Sequence, residues 1–260
     1  MGKEDYKYIY GPVPSWRLGS SLGIDPVSQK EKICSFDCVY CQIGRTKFFS
    51  SERKVFIPVS GVIEEINSLP ELHIDYITFS GSGEPTLAGN LGQMIEEIKK
   101  TRKERIAVIT NSSLIDRKDV QRDLMSSDFV IAKLDAPSKD IFKAVNNPIE
   151  TIEFDVVVEA LKKFRKIYKG KLALQVMFIS QNRHTACSIA EIAKEINPDE
   201  VQINTPLRPC GISPLSKGEL DVIEGYFKGL NTISVYKAEH IKVEPVSKGD
   251  TLRRRGKITD

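Results

Sequence analysis

Apolar runs of strand length alternate along the chain with segments of helical periodicity, and this alternation restricts the fold more than any other feature. Six runs have the length and apolar content of buried strands, at residues 20–25, 76–80, 106–110, 129–135, 172–179 and 201–205. Between them, apolar residues recur three or four positions apart, as in Val157, Leu161 and Phe164,. Strands separated by helices pair in parallel through right-handed crossovers. The alternation therefore predicts an α/β fold with one parallel sheet.

Polar residues inside these runs distinguish an open sheet from a barrel. They lie two positions apart, so both members of a pair lie on one face of their strand: Thr78 with Ser80, Lys133 with Asp135, and Gln202 with Asn204. A doubly wound open sheet has nearly continuous apolar strands, whereas a barrel with a site at its mouth has polar residues on its inner face. Six strands are fewer than the eight of a closed barrel. We therefore predict a partial (βα)6 barrel, with Gln175 on the same inner face.

The two ends of the chain lie outside this alternation. We expect an N-terminal arm at 1–19, the partial barrel at 20–236 and a C-terminal tail at 237–260. No apolar run approaches the roughly 18 residues of a membrane span, and the charged start MGKEDYKYIYGP lacks the apolar core of a secretory signal,. We therefore expect a cytoplasmic monomer without membrane attachment.

Three of the five cysteines, Cys34, Cys38 and Cys41, fall within eight residues in C-x3-C-x2-C spacing. The odd number and tight spacing argue against a disulfide framework. A structural zinc site normally has four protein ligands in two paired units, and a second such unit is absent from the sequence. Iron–sulfur clusters are held by thiolates, usually four. Three thiolates on three irons of a four-iron cluster would leave the fourth iron open to a further ligand.

The spacing, with the aromatic Tyr40 directly before the last cysteine, resembles the cluster motif of the radical S-adenosylmethionine (radical SAM) enzymes. The resemblance implies a partial barrel of the radical SAM type that binds one 4Fe–4S cluster and one S-adenosylmethionine (SAM). It implies that the reduced cluster cleaves SAM to a 5′-deoxyadenosyl radical, which abstracts hydrogen from a substrate. Such an enzyme requires an electron donor, such as flavodoxin or ferredoxin.

The run FSGSGEPTL contains Ser82, Gly83 and Glu84 directly after a predicted strand, where the family has a Gly-Gly-Glu-like turn that binds the amino group of SAM. A glycine allows close backbone approach, and a carboxylate suits an ammonium donor. The resemblance extends to the next two strand ends, where Asn111 and Asp135 become candidate cofactor contacts. A turn or a helix N-cap is the alternative for both residues. Two further candidate cofactor contacts are Tyr40 and Gln175.

Several longer runs resemble a group of radical SAM proteins related to the tRNA-modifying 4-demethylwyosine synthases; they lie at residues 11–26, 79–87, 133–148 and 201–209. This resemblance implies an RNA substrate and tRNA modification. Those relatives carry a second cluster on cysteines that precede the shared motif. No cysteine precedes Cys34 here, which argues against the wyosine reaction itself. Members of this group are expected to continue beyond the run GDTLRRRGKITD into a small winged-helix-like module.

Two alternatives remain open for the function. The first is an activating enzyme of the glycyl-radical type, or another enzyme that modifies a protein. The second is a non-catalytic zinc or iron–sulfur binding module, which gives no reason for the turn at Ser82–Glu84. Of the other two cysteines, Cys187 lies in a predicted helix and Cys210 in a loop, and both are expected to be structural or incidental, although Cys210 is within reach of the site.

Lys133 is the candidate catalytic residue. It shares a strand face with Asp135, so a barrel points it inward, where a lysine is costly unless it is paired or functional. It is a candidate to pair with Asp135 or Glu84, to bind an anionic substrate group, or to form a Schiff base. Candidate substrate contacts at the same mouth are Arg17, Asn204 and Arg208.

Overall fold

Strands and helices follow one another through residues 6–239 and 241–255, which are the residues that the computed structural model describes. The strands are β1 Ile9–Ser15, β2 Gly19–Ile24, β3 Ile33–Cys34, β4 Phe48–Phe49, β5 Tyr76–Phe79, β6 Arg105–Thr110, β7 Phe129–Lys133, β8 Lys171–Met177, β9 Glu200–Asn204 and β10 Thr232–Ser234. The helices are α1 Val59–Asn67, α2 Leu91–Thr101, α3 Lys118–Met125, α4 Lys139–Asn146, α5 Phe154–Ile167, α6 Ala186–Ile196, α7 Lys217–Glu224 and α8 Lys248–Arg255. Among these helices, none combines the length and the apolar content needed to cross a bilayer.

Eight strands form one sheet in the order β1-β2-β5-β6-β7-β8-β9-β10, and the sheet curls into an open partial barrel. All neighbours pair in parallel except β1 and β2, which form an antiparallel hairpin. The six predicted strands correspond to β2 and β5 to β9, so the α/β partial barrel is confirmed. The sequence did not predict β1 because Pro12 and Pro14 interrupt it. Prolines are tolerated there because β1 is an edge strand.

The two faces of the curled sheet differ in what they contact. Val130 and Ala132 point outward into the main core between the sheet and the helices. Phe129 and Ile131, which alternate with them, join a smaller apolar cluster on the inner face,. Toward the carboxyl end of the same strand, Lys133 continues this inner face. The barrel interior is therefore apolar at the amino ends of its strands and polar at their carboxyl ends, as the sequence pattern predicts.

The two ends of the described chain pack against each other beside the edge strand. The Tyr6 backbone N–H donates to Asp250 Oδ2 over 2.8 Å, and the Gly11 N–H donates to Thr251 Oγ1 over 3.1 Å. Helix α8 is thereby fixed against β1, which is itself part of the main sheet. The predicted arm at 1–19 and tail at 237–260 include residues 1–5, 240 and 256–260, which lie outside the described residues.

Candidate functional site

The cysteine motif begins on a strand and continues in a loop that the protein fixes from both sides. Cys34 ends β3, which pairs in parallel with β4, and the loop between these strands carries Cys38 and Cys41. Asp37 closes the loop, because its carboxylate accepts from the Thr46 N–H at 2.7 Å and from Arg45 Nη1 at 2.8 Å. These contacts order the loop through the protein's own side chains.

Helix α4 holds the other side of the loop. The Asp37 N–H donates to the Asn146 carbonyl over 3.1 Å, and Phe36 packs edge-on against Phe142 with ring centroids 5.2 Å apart. The helix ends at Asn146 because Asn147 adopts the left-handed conformation (φ 42°) and Pro148 follows,. This ending directs the Asn146 side chain toward the cysteine loop.

Each of the three cysteine sulfurs accepts a hydrogen bond from a side-chain nitrogen. The pairs are Asn111 Nδ2 to Cys34 Sγ at 3.6 Å, Asn146 Nδ2 to Cys38 Sγ at 3.6 Å, and Lys32 Nζ to Cys41 Sγ at 3.1 Å. Donors of this kind stabilise a thiolate and tune the potential of a metal bound to it. The donors come from three different parts of the fold, and two of them are neutral amides.

Burial opposes ionisation of the free thiols. It raises the pKa of Cys34 to about 12, with the Glu84 carboxylate adding to the effect, and the pKa of Cys38 to about 11, with Asp135 adding. Metal binding requires the thiolate, so a bound metal has to displace these protons. Within residues 6–239 and 241–255, no group of three or more His, Cys, Asp or Glu side chains converges as the ligands of a single ion do. A four-iron cluster does not need such convergence, because each thiolate binds a different iron.

The turn at Ser82–Glu84 lies directly against the strand that carries Cys34. A Cβ atom on Gly83 would lie 2.0 Å from the Ile33 carbonyl oxygen, so only glycine fits there,. The Glu84 N–H donates to this same carbonyl over 3.3 Å. The sequence predicted a glycine for close backbone approach, and the partner of that approach is the chain's own β3.

Asp25 supports the same turn and was not among the predicted site residues. Its Oδ2 accepts from the Ser82 hydroxyl at 2.6 Å and from the Ser82 N–H at 3.2 Å. Burial raises the pKa of Asp25, although the bonds from Ser82 and the charge of Arg254 oppose this. Asp25 directly follows β2 on its inner face. Polar residues at strand ends identified the other candidates, and the same signal would have found this one.

The Glu84 carboxylate is largely occupied by donors of the chain itself. Its Oε1 accepts from the Thr86 N–H at 3.0 Å, the Thr86 hydroxyl at 2.7 Å and the Thr110 hydroxyl at 2.6 Å, while Oε2 accepts from the Asn111 N–H at 2.7 Å. Burial raises the pKa of Glu84 against the effect of these donors. The carboxylate thus ties the turn to the end of β6. Its predicted contact with SAM remains a prediction.

Asn111 contacts a cysteine of the motif, and its side chain also forms a turn, which is the alternative that the sequence left open. Its Oδ1 accepts from the Ser113 N–H at 2.9 Å, which closes an Asx turn,. Its Nδ2 donates to Ser35 Oγ at 2.9 Å as well as to Cys34. The end of β6 and the cysteine loop are therefore joined through this one side chain.

Asp135 is the centre of a buried polar network below the cysteine loop. Its Oδ2 accepts from the Tyr40 hydroxyl and from Asn146 Nδ2 at 2.7 Å, and its Oδ1 accepts from the Met177 N–H at 2.7 Å. Asn182 supports the network through bonds to the Asp135 and Met177 carbonyls at 2.8 and 2.9 Å. The sequence predicted Tyr40 and Asp135 but missed Asn146 and Asn182, which reach the network from other elements.

Lys133 points into the barrel interior, where its side chain is 14% exposed. Its Nζ lies 3.8 Å from Asp135 Oδ2, 3.4 Å from Gln175 Oε1 and 4.8 Å from the centre of the Tyr40 ring. The pairing with Asp135 considered from the sequence is thus present at the limit of an ion pair. Gln175 Nε2 is buried and has no partner among the described residues, so it is a free donor on the same inner face.

The candidate substrate residues lie at different ends of the strands: Arg17 is at the amino end of β2, whereas Asn204 and Arg208 are at the carboxyl end of β9. Arg17 lies in the turn between β1 and β2, and its Nε is buried without a partner in the described chain. Arg208 follows β9 and donates to the Arg255 carbonyl. Asn204 ends β9, and its Oδ1 accepts from the Thr205 N–H at 2.9 Å.

The remaining two cysteines belong to other elements than the motif. Cys187 is exposed on helix α6. Cys210 donates to the Ile212 carbonyl over 3.3 Å in the loop after β9.

Comparison with known proteins relates this fold and site to a family. A model described as the Radical SAM superfamily matches residues 32–193, more than half of the chain. A UPF0026 protein of Synechocystis sp. is 40% identical over 202 residues, which cover 77% of this chain and 76% of that protein.

Solved structures share the fold at low sequence identity. Streptococcus suis SuiB bound to S-adenosylmethionine matches with a TM-score of 0.61 and 16% identity over 82% of this chain, which spans about half (49%) of SuiB. TYW1 with a lysine-pyruvate adduct bound also matches with a TM-score of 0.61 and 16% identity, over 82% of this chain and 76% of TYW1. At such identities the likeness establishes the fold alone.

Proposed function

Because this chain belongs to the radical SAM superfamily of enzymes, we propose that it holds one 4Fe–4S cluster on Cys34, Cys38 and Cys41 and that it cleaves SAM. The observation that carries the proposal is the hydrogen bond that each of the three sulfurs accepts from a side-chain nitrogen. A sulfur that accepts such a bond is suited to be a thiolate ligand. The fourth iron would take SAM through its amino and carboxylate groups.

The residues around the motif fit such a cluster in charge and in position. When bound and reduced, the cluster supplies the electron that cleaves SAM to methionine and a 5′-deoxyadenosyl radical. Lys32 lies 3.1 Å from Cys41 Sγ and offsets part of the negative charge of three thiolates,. Asn111 and Asn146 orient the other two sulfurs without adding charge. These three residues therefore hold the thiolates in place and set the electrostatic environment of the cluster.

For SAM we propose contacts along the carboxyl ends of β5 to β8, next to the cysteine loop. The turn at Ser82–Glu84 abuts Ile33, so its backbone lies beside the first cysteine of the motif. Gln175 Nε2 supplies a buried donor that lacks a protein partner in the described chain. Tyr40 and Asp135 are held together by a hydrogen bond and form a rigid wall on which a nucleoside can rest. Asn111 joins the end of β6 to the first cysteine of the motif, where it is proposed as a further SAM contact.

For the substrate we propose RNA, with tRNA modification as the reaction. The support is the resemblance of the motif runs at 79–87 and 133–148 to those of the tRNA-modifying 4-demethylwyosine synthase group. Reducing equivalents would come from a flavodoxin or a ferredoxin. Lys133 is proposed as the catalytic side chain, since it is the ammonium group that faces the interior beside Asp135.

Two experiments test the proposal. Anaerobic reconstitution should give about four irons per chain, and dithionite with SAM should then release 5′-deoxyadenosine. Stoichiometric zinc, or no cleavage by a fully reconstituted protein, would overturn the cluster and its chemistry. Nucleoside profiling of RNA from a deletion strain should reveal a lost modification. An unchanged profile would reject RNA and favour a protein target.

A further inference from the structure

Three arginines from distant parts of the sequence lie beside the edge strand β1, and we call them the arginine cluster: Arg17, Arg208 and Arg255. Arg17 lies in the β1–β2 turn, Arg208 follows β9, and Arg255 ends α8. Arg208 Nη1 donates to the Arg255 carbonyl, and Arg255 Nη2 donates to the Pro14 carbonyl at 3.0 Å. Helix α8 thus adds a third guanidinium to two that the sequence had marked as substrate contacts.

No carboxylate of the described residues pairs with any member of the arginine cluster. The next arginines on α8 behave differently, because Arg253 and Arg254 both approach Asp250, at 2.9 and 3.7 Å. Glu200 acts on Arg17 only at longer range, and it is engaged by Lys171 at 2.8 Å. The absence of pairing therefore distinguishes Arg255 from the two arginines that precede it on the same helix.

The three arginines of the cluster are partly buried, so the lack of a paired carboxylate carries an energetic cost,. Burial, and then repulsion by Arg208 and Arg255, lowers the pKa of Arg17 to about 9. Burial, and then Arg255, lowers the pKa of Arg208 to about 10. Arg17 Nε is buried and has no hydrogen-bond acceptor in the described chain. Grouped, desolvated cations of this kind are costly unless an anion joins them.

We propose that the arginine cluster binds a phosphate group of the substrate. Guanidinium groups bind phosphate through paired N–H donors, and three cations match a phosphate dianion better than a single carboxylate. The position of the cluster suits a substrate, because the cluster lies next to the cysteine motif. Gln42, which directly follows Cys41, donates through its Nε2 to the Arg208 carbonyl at 3.4 Å. This inference rests on the proposed function, and it specifies the substrate as a phosphorylated molecule.

The chain contains its own reporter of this site. Trp16 is the single tryptophan of the sequence, and the Arg17 guanidinium carbon lies 4.9 Å from the centre of its ring. An anion that draws the Arg17 charge toward itself changes the environment of this indole. Its fluorescence therefore reports binding at the cluster, and calorimetry gives an independent measure of affinity.

The test titrates the reconstituted protein with inorganic phosphate. We expect saturable binding, weakened about tenfold or more by each of Arg17→Gln, Arg208→Gln and Arg255→Gln. Arg253→Gln is the matched control, since Arg253 lies on the same helix with a side chain that is 61% exposed, and it should bind as the wild type does. Arg255→Lys keeps the charge and should lose less than Arg255→Gln. Absence of saturable binding, or equal affinity in all variants, would overturn the proposal.

Competition identifies the source of the phosphate group. Guanosine 5′-monophosphate should displace phosphate if the substrate presents a terminal phosphate, and a 5′-hydroxyl RNA oligonucleotide should displace it if the backbone does. Displacement by neither would overturn the assignment to a substrate phosphate. SAM cleavage by the same preparations separates the two proposals. Cleavage without phosphate binding refutes the arginine cluster alone, and phosphate binding without cleavage refutes the proposed chemistry alone.

Discussion

Gly83 lies so close to Ile33 that a Cβ atom at position 83 would be 2.0 Å from the Ile33 carbonyl oxygen. The two sequence motifs of the candidate site are therefore in direct backbone contact, with Ile33 next to Cys34 on one side and the Ser82–Glu84 turn on the other. The spacing between the motifs depends on the absence of a side chain at this one position.

Gly83→Ala should push the turn away from β3. We expect a loss of about 1–3 kcal/mol in the free energy of unfolding, together with lower iron content after reconstitution, because Cys34 lies next to the displaced strand. Urea unfolding and iron analysis measure the two effects. Gly89→Ala is the control, since its Cβ would meet only ordinary contacts, the nearest at 3.5 Å from the Lys54 backbone. Equal stability of the two variants would contradict the close contact at Gly83.

The sheet and the main motifs could be predicted from the sequence because both depend on residues that are close together along the chain. Apolar periodicity located β2 and β5 to β9, and polar residues of period two located the inner face with Lys133 and Gln175. The edge strand β1 was missed because its prolines hide the strand pattern, and the three-residue β10 is too short for periodicity to detect.

The contacts that complete the site could not be predicted in the same way. The Asn146 amide reaches Cys38 across 108 residues of sequence, and the Tyr40 hydroxyl reaches Asp135 across 95. Arg255 joins Arg208 only because α8 folds back on β1. Such pairs form only when distant parts of the chain come together in the tertiary structure, so no local sequence pattern indicates them.

Substitution of any one of Cys34, Cys38 or Cys41 by Ser should abolish SAM cleavage and lower the iron content. The three sulfurs are the ones that accept side-chain hydrogen bonds from nitrogen, and a hydroxyl is a poor ligand for a cluster iron. Cys187→Ser is the matched control, since Cys187 is exposed on α6, and it should retain both iron and activity. Full cleavage by a variant of the motif would contradict the assignment.

Asp135→Asn should destabilise the network below the cysteine loop. The carboxylate accepts from Tyr40, Asn146 and the Met177 N–H, and an amide would turn one acceptor oxygen into a donor facing other donors. We expect a loss of about 1–3 kcal/mol in the free energy of unfolding. Asp155→Asn removes an exposed pair with Lys139 and should change it by less than about 0.5 kcal/mol. A loss no larger than that of the control would contradict the role of the network.

Asp25→Asn should alter the dependence of stability on pH. Burial raises the pKa of Asp25 in the folded protein, so the folded state binds this proton more tightly than the unfolded state, where the pKa is about 3.9. Ionisation of Asp25 therefore costs stability as pH rises above that value through the raised folded pKa. Asn cannot ionise, so the variant should gain stability relative to the wild type as pH rises above about 4.

Urea unfolding across this pH range measures the difference for Asp25→Asn. The exposed Asp116 provides the control, because Asp116→Asn should show no comparable gain with pH,. A difference between Asp25→Asn and the wild type that stays constant with pH would contradict the raised pKa.

Lys133→Gln should separate cofactor cleavage from substrate turnover. Lys133 Nζ lies 3.8 Å from Asp135 Oδ2 and faces the barrel interior, whereas the donors to the cysteine sulfurs come from other residues. The variant should therefore still release 5′-deoxyadenosine from SAM while failing to restore the RNA modification in a deletion strain. Lys133→Arg distinguishes the two roles of the ammonium, because arginine keeps the charge beside Asp135 but cannot form a Schiff base. Restoration by Arg assigns Lys133 to charge pairing or anion binding, loss with Arg favours a nucleophilic amine, and full restoration by Gln would exclude Lys133 from the reaction.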